Sequence, residues 1–242
     1  MVEKTVSKAI EYRRSVRRYD ATKPLNKEDV KLCIQQASLA PTSSNLQLWE
    51  FYHITHTETL QKIAKACFDQ SAAKTALQLV VTVVRKDLWK QRAAANISFL
   101  TKQFENQKVK NLKDEKKSMN YYKKVIPTIY SDFFGLFGWL KKIIAFVIGM
   151  FRPMYREVSS GDVRVIAHKS AALASQNFMI SMAALGYDTC PMEGFDSKRV
   201  KRILGLPKKA EINMIIGCGY RAEGGIYGQR FRVPFEEVYR EV

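Results

Sequence analysis

The stretch ALQLVVTVVRK, residues 76–86, constrains the fold most, because it is an almost unbroken apolar run rich in valine. A half-exposed strand alternates apolar and polar residues, whereas a strand buried on both faces is apolar nearly throughout. Residues 76–86 therefore predict a central strand of a sheet.

Helical and extended patterns are mixed along the rest of the chain, which places it in the α+β class. Strands are also predicted over residues 47–55 and 211–221, and the tail from 227 to 242 is expected to be extended because Pro234 disfavours an interior strand. Helices are predicted over residues 6–16, 26–40 with Asn26 as the cap, 57–67, 88–107, 161–187 and 197–207.

Residues 101–160 interrupt this pattern and are interpreted as an insertion into a single domain that covers residues 1–242. They contain 12 Lys plus Arg against 5 Asp plus Glu, a net of +7. Within them, residues 133–151 are apolar over a helical length of about 28 Å, close to a bilayer core. Lys141 and Lys142 near the middle would each cost about 2.5–3.5 kcal/mol in a bilayer, so we expect no membrane span. We expect a lid over an active site and a partner subunit, and the alternative is a helix lying in an anionic membrane interface.

The charge of the whole chain points to an anionic partner. The 242 residues carry a net charge of +17, which suits a phosphate, a nucleic acid or an acidic membrane surface. Four cysteines, at positions 33, 67, 190 and 218, have no metal-ligand spacing and are expected to be reduced core thiols. Without a secretory signal at the N-terminus, we expect a cytoplasmic protein, with membrane association as an open alternative.

Two arginine clusters are candidates for binding a phosphate. Residues 12–20, YRRSVRRYD, contain four arginines, and the tail contains Arg230 and Arg232. A guanidinium offers a planar pair of donors that matches phosphate oxygens. The clusters can meet only if the tail folds back or reaches over from another subunit. A solvated surface is the alternative interpretation.

The junction LAPTSSNLQLWEF, residues 39–51, gathers small polar side chains between a helix and a strand. Taken alone, such residues are typical of a loop, because they bond their own backbone. They could also hold a polar ligand. Neither of the common glycine-rich nucleotide-binding loops occurs in the chain, and no nucleophilic triad is evident.

Five motifs in order give the chain its resemblance to a known family. They are RRSVRRYD, APTSSNLQLWEF, the Gln70 that precedes Ala76 by six residues, QNFMISMAALGYDTCPMEGFD and the tail GQRFRV. With these motifs the chain resembles the FMN-dependent nitroreductase family. The similarity covers most of residues 5–86 and 161–242.

The resemblance implies a sheet between helices in an intertwined homodimer, with FMN at the subunit interface. It also implies electron transfer from NAD(P)H to a nitroaromatic, a quinone or a related small acceptor. The implied FMN contacts are Arg13, Arg14 and Ser15 at the phosphate and ribityl chain; Arg17 at the flavin edge; Pro41, Thr42, Ser43 and Asn45 from the other subunit; Gln70 at the ribityl or pyrimidine edge; Pro191, Met192, Glu193 and Gly194 at the ring; and Arg230 and Arg232 at the phosphate.

No side chain is named as catalytic, since the cofactor would carry the redox chemistry and the protein would position it. The family often has lysine where this chain has Arg17. A second class of function stays open on charge alone, namely a basic protein that binds nucleic acid or a membrane surface without redox activity.

Overall fold

The computed structural model describes residues 3–106, 112–131 and 136–242. Its described strands form one antiparallel sheet in the order β1-β2-β4-β3. The strands are β1 Trp49–Ile54, β2 Gln78–Val84, β3 Asp188–Met192 and β4 Glu211–Gly219. All seven residues of β2 are buried, and β2 pairs with β1 on one side and β4 on the other. The prediction of a central strand is confirmed.

Helices cover both faces of this sheet. Their bounds are α1 Val6–Tyr12, α2 Lys27–Ala37, α3 Thr57–Ala66, α4 Ser71–Lys74, α5 Trp89–Glu105, α6 Leu112–Asn120, α7 Ile126–Tyr130, α8 Leu136–Phe151, α9 Ser160–Ala184, α10 Ser197–Ile203 and α11 Phe235–Val238. A 3₁₀ turn spans Ser43–Asn45, and a π-helical turn spans Tyr121–Val125. The Asn26 side chain accepts a hydrogen bond from Glu28 N, which confirms the predicted cap of α2.

Alternate residues of β2 feed two separate cores. Leu79 and Val81 pack with Ile63 of α3 and with α10 on one face. Val80 packs with Phe178 of α9 and with α2 on the other. The alternation follows from the period of two in a strand, and it confirms the α+β sheet between helices. The four cysteines are divided between the two cores, and all four are buried and unpaired.

Three details of the predicted elements were wrong. The first helix ends at Tyr12, four residues earlier than expected, because the chain from Arg13 onward is extended and Ser15 bridges to Thr189. Strand β3 was not predicted, since it is a short edge strand that contains Pro191 and lacks an alternating pattern. The tail from 227 to 242 contains the single helical turn α11 and is otherwise irregular.

The insertion is largely helical where it is described, from the end of α5 through α8. Residues 107–111 and 132–135 lie outside the described residues, so the first part of the apolar segment 133–151 is not covered. In the described ranges, no helix combines the length and the apolar character that crossing a bilayer requires.

Tyr19 fixes the extended segment that follows α1. Its ring lies on β4, and its hydroxyl donates a hydrogen bond to the carbonyl of Gly217 at 2.8 Å. A Cβ on Gly219 would lie 2.8 Å from the Tyr19 ring, so the close approach depends on glycine at this position. The arginine segment is thereby held against the sheet.

We therefore expect Gly219→Ala to lower the free energy of unfolding by about 1–3 kcal/mol, because the added methyl group overpacks the contact with Tyr19. Urea unfolding followed by circular dichroism measures the change. The matched control is Gly161→Ala, on the exposed first turn of α9, where the nearest atom would be Ser159 Oγ at 3.8 Å. The control should be neutral or stabilising by up to about 1 kcal/mol; equal losses in both variants would contradict the role given to the contact.

Candidate active site

The two arginine clusters meet in one cavity within a single chain. The cavity of about 290 Å³, here called the arginine pocket, is lined by Arg13, Arg14, Ser15, Arg17, Ile226, Tyr227, Gln229, Arg230, Phe231 and Arg232. The tail of the same chain folds back to form it. This is the first of the two arrangements that the sequence allowed, the other being a tail that reaches over from another subunit.

Hydrogen bonds to the backbone hold the tail in place. The Arg230 guanidinium donates to the carbonyls of Glu11 and Arg13, both at 2.7 Å. In the opposite direction, Arg14 donates to the carbonyl of Gly228 at 3.0 Å. The carbonyls at the end of α1 have no partners within the helix, so they are natural acceptors for a cation. The tail and α1 are thus fastened in both directions.

The extended backbone of residues 15–17 determines which side chains face the arginine pocket. Val16 is fully buried, and its backbone N–H donates to the carbonyl of Thr189. Successive side chains in an extended chain point to opposite sides. Ser15 and Arg17 therefore point away from the core and towards the pocket, as the lining shows.

The arginine pocket is strongly positive. It contains five arginines, and none of its described lining residues carries a carboxylate. Burial lowers the pKa of Arg13, and the nearby Arg230 and Arg232 lower it further. An anion in the pocket would relieve this repulsion and would receive charge-assisted hydrogen bonds.

An ion pair with a buried carboxylate, not identified from the sequence, lies at the end of α1. The Asp188 carboxylate is almost completely buried and receives hydrogen bonds from Arg221 Nε and Nη2, the latter at 2.5 Å. The Arg221 guanidinium also lies over the ring of Tyr12, 4.3 Å from its centre. This brace fixes the end of α1, directly before Arg13. A lone aspartate entering an apolar strand was the signal that could have revealed it.

The predicted ring-contacting residues lie next to the arginine pocket. Strand β3 runs from Thr189, the partner of Ser15, towards Pro191 and Gly194. Gln70 Nε2 donates to the carbonyl of Gly194 at 2.6 Å. The structure therefore links the arginine pocket to β3 through Ser15, and it links Gln70 to Gly194 beyond the other end of that strand.

Among the predicted ring-contacting residues, Met192 cannot offer its side chain to a ligand. Its side chain is only 3 % exposed and packs in the core with α3, whereas Glu193 and Gly194 are exposed. A ligand on this edge would therefore meet the backbone of Met192 and the side chain of Glu193.

The predicted residues Pro41, Thr42, Ser43 and Asn45 lie elsewhere in the chain, within the segment 41–45 that is here called the shelf. Ser43 N donates to Ser170 Oγ near the middle of α9, while the segment before α1 bonds to Ala184 at its C-terminal end. The fourteen residues between these points span about 21 Å at 1.5 Å per residue. One chain therefore does not join the shelf to its own arginine pocket.

The shelf has an unusual backbone that neighbouring elements hold in place. Ser44 and Asn45 have positive φ values of 54° and 49°, a region that costs about 1–2 kcal/mol for most L-residues. Asn45 and Asn96 of α5 exchange two hydrogen bonds, at 2.9 and 3.0 Å. Tyr122 donates to the Ser44 carbonyl at 3.0 Å, so the insertion contacts the shelf directly. This contact was not predicted, because Tyr122 and Ser44 are far apart in the sequence.

The histidines and acids of the described residues offer no metal centre, since no three His, Cys, Asp or Glu side chains converge. His168 contacts Glu211 at 3.3 Å and Asn213 at 3.2 Å, as expected of a structural histidine. A separate cavity of about 1110 Å³ lies at the far end of the sheet between α7, α8 and α9, with Lys86, Lys141 and Glu211 among its lining residues.

Comparison with known proteins gives the class. The family model described as the nitroreductase family matches residues 10–220. The chain belongs to the nitroreductase family, which is a family of oxidoreductases. The comparisons lend no support to the nucleic-acid alternative.

Individual relatives agree with this assignment. Protein DrgA of Synechocystis is 26% identical over 226 residues, covering 93% of this chain and 89% of DrgA. SERP2086 of Staphylococcus epidermidis, provisionally named an NAD(P)H nitroreductase, is 26% identical and covers 94% and 93% of the two chains. A provisionally named nitroreductase from Exiguobacterium sibiricum, solved in complex with FMN, shares the fold with a TM-score of 0.67 at 18% identity, covering 100% and 99% of the chains.

Proposed function

We propose that the protein is an FMN-dependent oxidoreductase that passes reducing equivalents from NAD(P)H to a small acceptor such as a nitroaromatic or a quinone. The observation that carries the proposal is the arginine pocket. Five guanidinium groups converge there without a carboxylate, and Ser15 in the lining of the pocket bridges to Thr189 of β3.

The residues present fit a flavin phosphate. A phosphate monoester carries nearly two negative charges at neutral pH and three acceptor oxygens. Arg13, Arg14 and Arg232, with the Ser15 hydroxyl, would bind it, and Arg230 would contribute while holding the tail. Burial raises the pKa of the Cys190 thiol, and the nearby Arg17 and Arg13 act in the opposite direction. Arg17 therefore brings positive charge close to β3, along which the flavin edge would lie.

We further propose that the cofactor lies at the interface of a homodimer. The shelf and the arginine pocket are too far apart in one chain to share a ligand, but both are accessible. In the proposed dimer, Pro41, Thr42, Ser43 and Asn45 of the partner subunit would complete the site. Tyr121 and Tyr122 of the insertion hold this shelf, so residues 112–131 would serve as part of the lid.

FMN bound in this site would supply the hydride chemistry. The chain itself would bind the phosphate, orient the ring through Gln70 and Gly194, and exclude water through the shelf. No side chain of the chain need donate or accept a proton, and none is proposed as catalytic. The four buried, unpaired cysteines support a reducing, cytoplasmic location.

Arginine variants test the phosphate site. We expect Arg13→Ala and Arg232→Ala each to weaken FMN binding by about 1.5–3 kcal/mol, the range for a hydrogen bond to a charged group. Arg18→Ala is the matched control, because Arg18 is outside the arginine pocket and only reaches the Gly224 carbonyl at 3.4 Å. Equilibrium dialysis with the apoprotein gives the dissociation constants.

Riboflavin, which lacks the phosphate, makes this test specific. Arg13→Ala and Arg232→Ala should change riboflavin affinity little, because their partner is missing from that ligand. Equal losses for both ligands, or equal losses in all three variants, would mean a diffuse positive surface instead of a phosphate site.

A second prediction concerns the order of binding. Because one opening would have to admit both donor and acceptor, we expect them to bind in turn, with the oxidised donor leaving first. Initial rates at several fixed acceptor concentrations should give parallel double-reciprocal lines, with either NADH or NADPH as the donor. Intersecting lines would show that both substrates bind together and would contradict the shared opening.

A further inference from the structure

Helix α8 turns its large apolar side chains away from the protein. Among residues 138–151, whose burial is described, Gly138 and Ala145 are the buried ones, while Trp139 and Phe146 are 65% and 61% exposed. A Cβ on Gly138 would lie within 3.8 Å of Ser159 and Ser160, so the helix rests on α9 through a small residue. This is the reverse of the usual arrangement, in which an amphipathic helix buries its apolar face.

The exposed side chains form one continuous surface. At 100° per residue, they fall within about 160° of the helix circumference, opposite the buried small residues. This apolar face includes Trp139, Ile143, Phe146, Val147, Met150 and Phe151, each at least 40% exposed. It continues into the following loop through Met154 and Tyr155. An exposed apolar surface of this extent marks a site of interaction.

The two lysines of α8 lie off this face. Lys141 donates to the carbonyls of Ile129 and Ser131, on the side of α7. Lys142 lies at the edge, with its side chain 55% exposed and its ammonium 3.8 Å from Asp162. Arg152 follows the helix and is exposed. The sequence of α8 contains no acidic residue. Positive charge therefore borders the apolar face, and α8 itself carries no negative charge.

We propose that α8 binds the protein to the surface of an anionic lipid bilayer, with the helix lying in the plane of the interface. Large apolar and aromatic side chains on one face with basic residues at its edge are what an interfacial helix requires. Anionic headgroups complement the charge of +7 over residues 101–160 and +17 over the chain. Two copies of this face, each bordered by Lys142 and Arg152, would repel each other, so charge favours an anionic surface over a contact of the face with itself.

Vesicle binding tests the proposal with the full-length, cofactor-loaded protein. We expect it to sediment with vesicles of phosphatidylcholine mixed with phosphatidylglycerol, and at least about tenfold more weakly with phosphatidylcholine alone. The double variant Trp139→Gln with Phe146→Gln should lose at least about tenfold in affinity. Phe99→Gln is the matched control, because Phe99 on α5 is an aromatic side chain that is equally exposed, at 65%.

Tryptophan fluorescence supplies a second measurement. Of the three tryptophans, Trp139 is exposed, Trp49 is buried, and Trp89 is half-buried next to Tyr130 and distant from the apolar face in sequence. A blue shift on adding anionic vesicles should therefore disappear in Trp139→Phe. The proposal is overturned if anionic and neutral vesicles bind equally, or if the double variant binds as well as the natural chain. It is also overturned if the double variant loses its dimeric state in light scattering, or changes only its ranking of soluble acceptors, since the face would then be a subunit contact or a lid.

Discussion

Arg230 donates to the carbonyls at the end of α1, and this contact brings together two arginine clusters that are about two hundred residues apart in the chain. Together with the bond from Arg14 to the Gly228 carbonyl, it holds the tail against the segment from Arg13 to Arg17, and residues 226–232 supply six of the ten lining residues of the pocket. The contact satisfies carbonyls that α1 leaves without partners. The same side chain therefore completes the helix and places its own charge beside Arg13.

This arrangement has an electrostatic cost that a ligand would offset. Burial and the neighbouring guanidinium groups lower the pKa of Arg13, which means that the folded protein disfavours its charged form there. A bound phosphate would reverse that effect. The Asp188–Arg221 ion pair lies beside Tyr12 and leaves the cations of the pocket unneutralised, since the Asp188 carboxylate is already engaged by Arg221. Structural charge and ligand-binding charge are thus kept separate.

Much of the fold follows from local patterns in the sequence. Residues 76–86 had the composition of a doubly covered strand, and β2 has buried residues feeding both cores. The cap of α2 was also predictable, because Asn26 acts on its own helix. Strand β3 was missed because an edge strand of five residues with a proline has no distinctive period.

Contacts between residues distant in the sequence limited how much of the candidate site could be predicted. The residues of the arginine pocket could be named, but only the structure showed the tail returning in the same chain and the shelf contacting α9 at Ser170, away from the end where α1 begins. The Tyr122 contact with Ser44 and the Asp188 brace leave no local pattern, since each joins residues that are distant in sequence. Similarly, the apolar composition of α8 was evident, but the direction of its apolar face depends on how Gly138 and Ala145 pack.

A mixed dimer tests most directly whether each cofactor site is built from two chains. One chain would carry Arg13→Ala and Arg232→Ala, and the other Thr42→Ala and Asn45→Gly, in which glycine keeps the positive φ of Asn45. Each variant alone should form a dimer with little FMN. Pairing them restores one intact site of two, so the account predicts that the purified mixed dimer binds about half the FMN of the natural dimer. A mixed dimer with no more flavin than its parents would contradict a site shared between subunits.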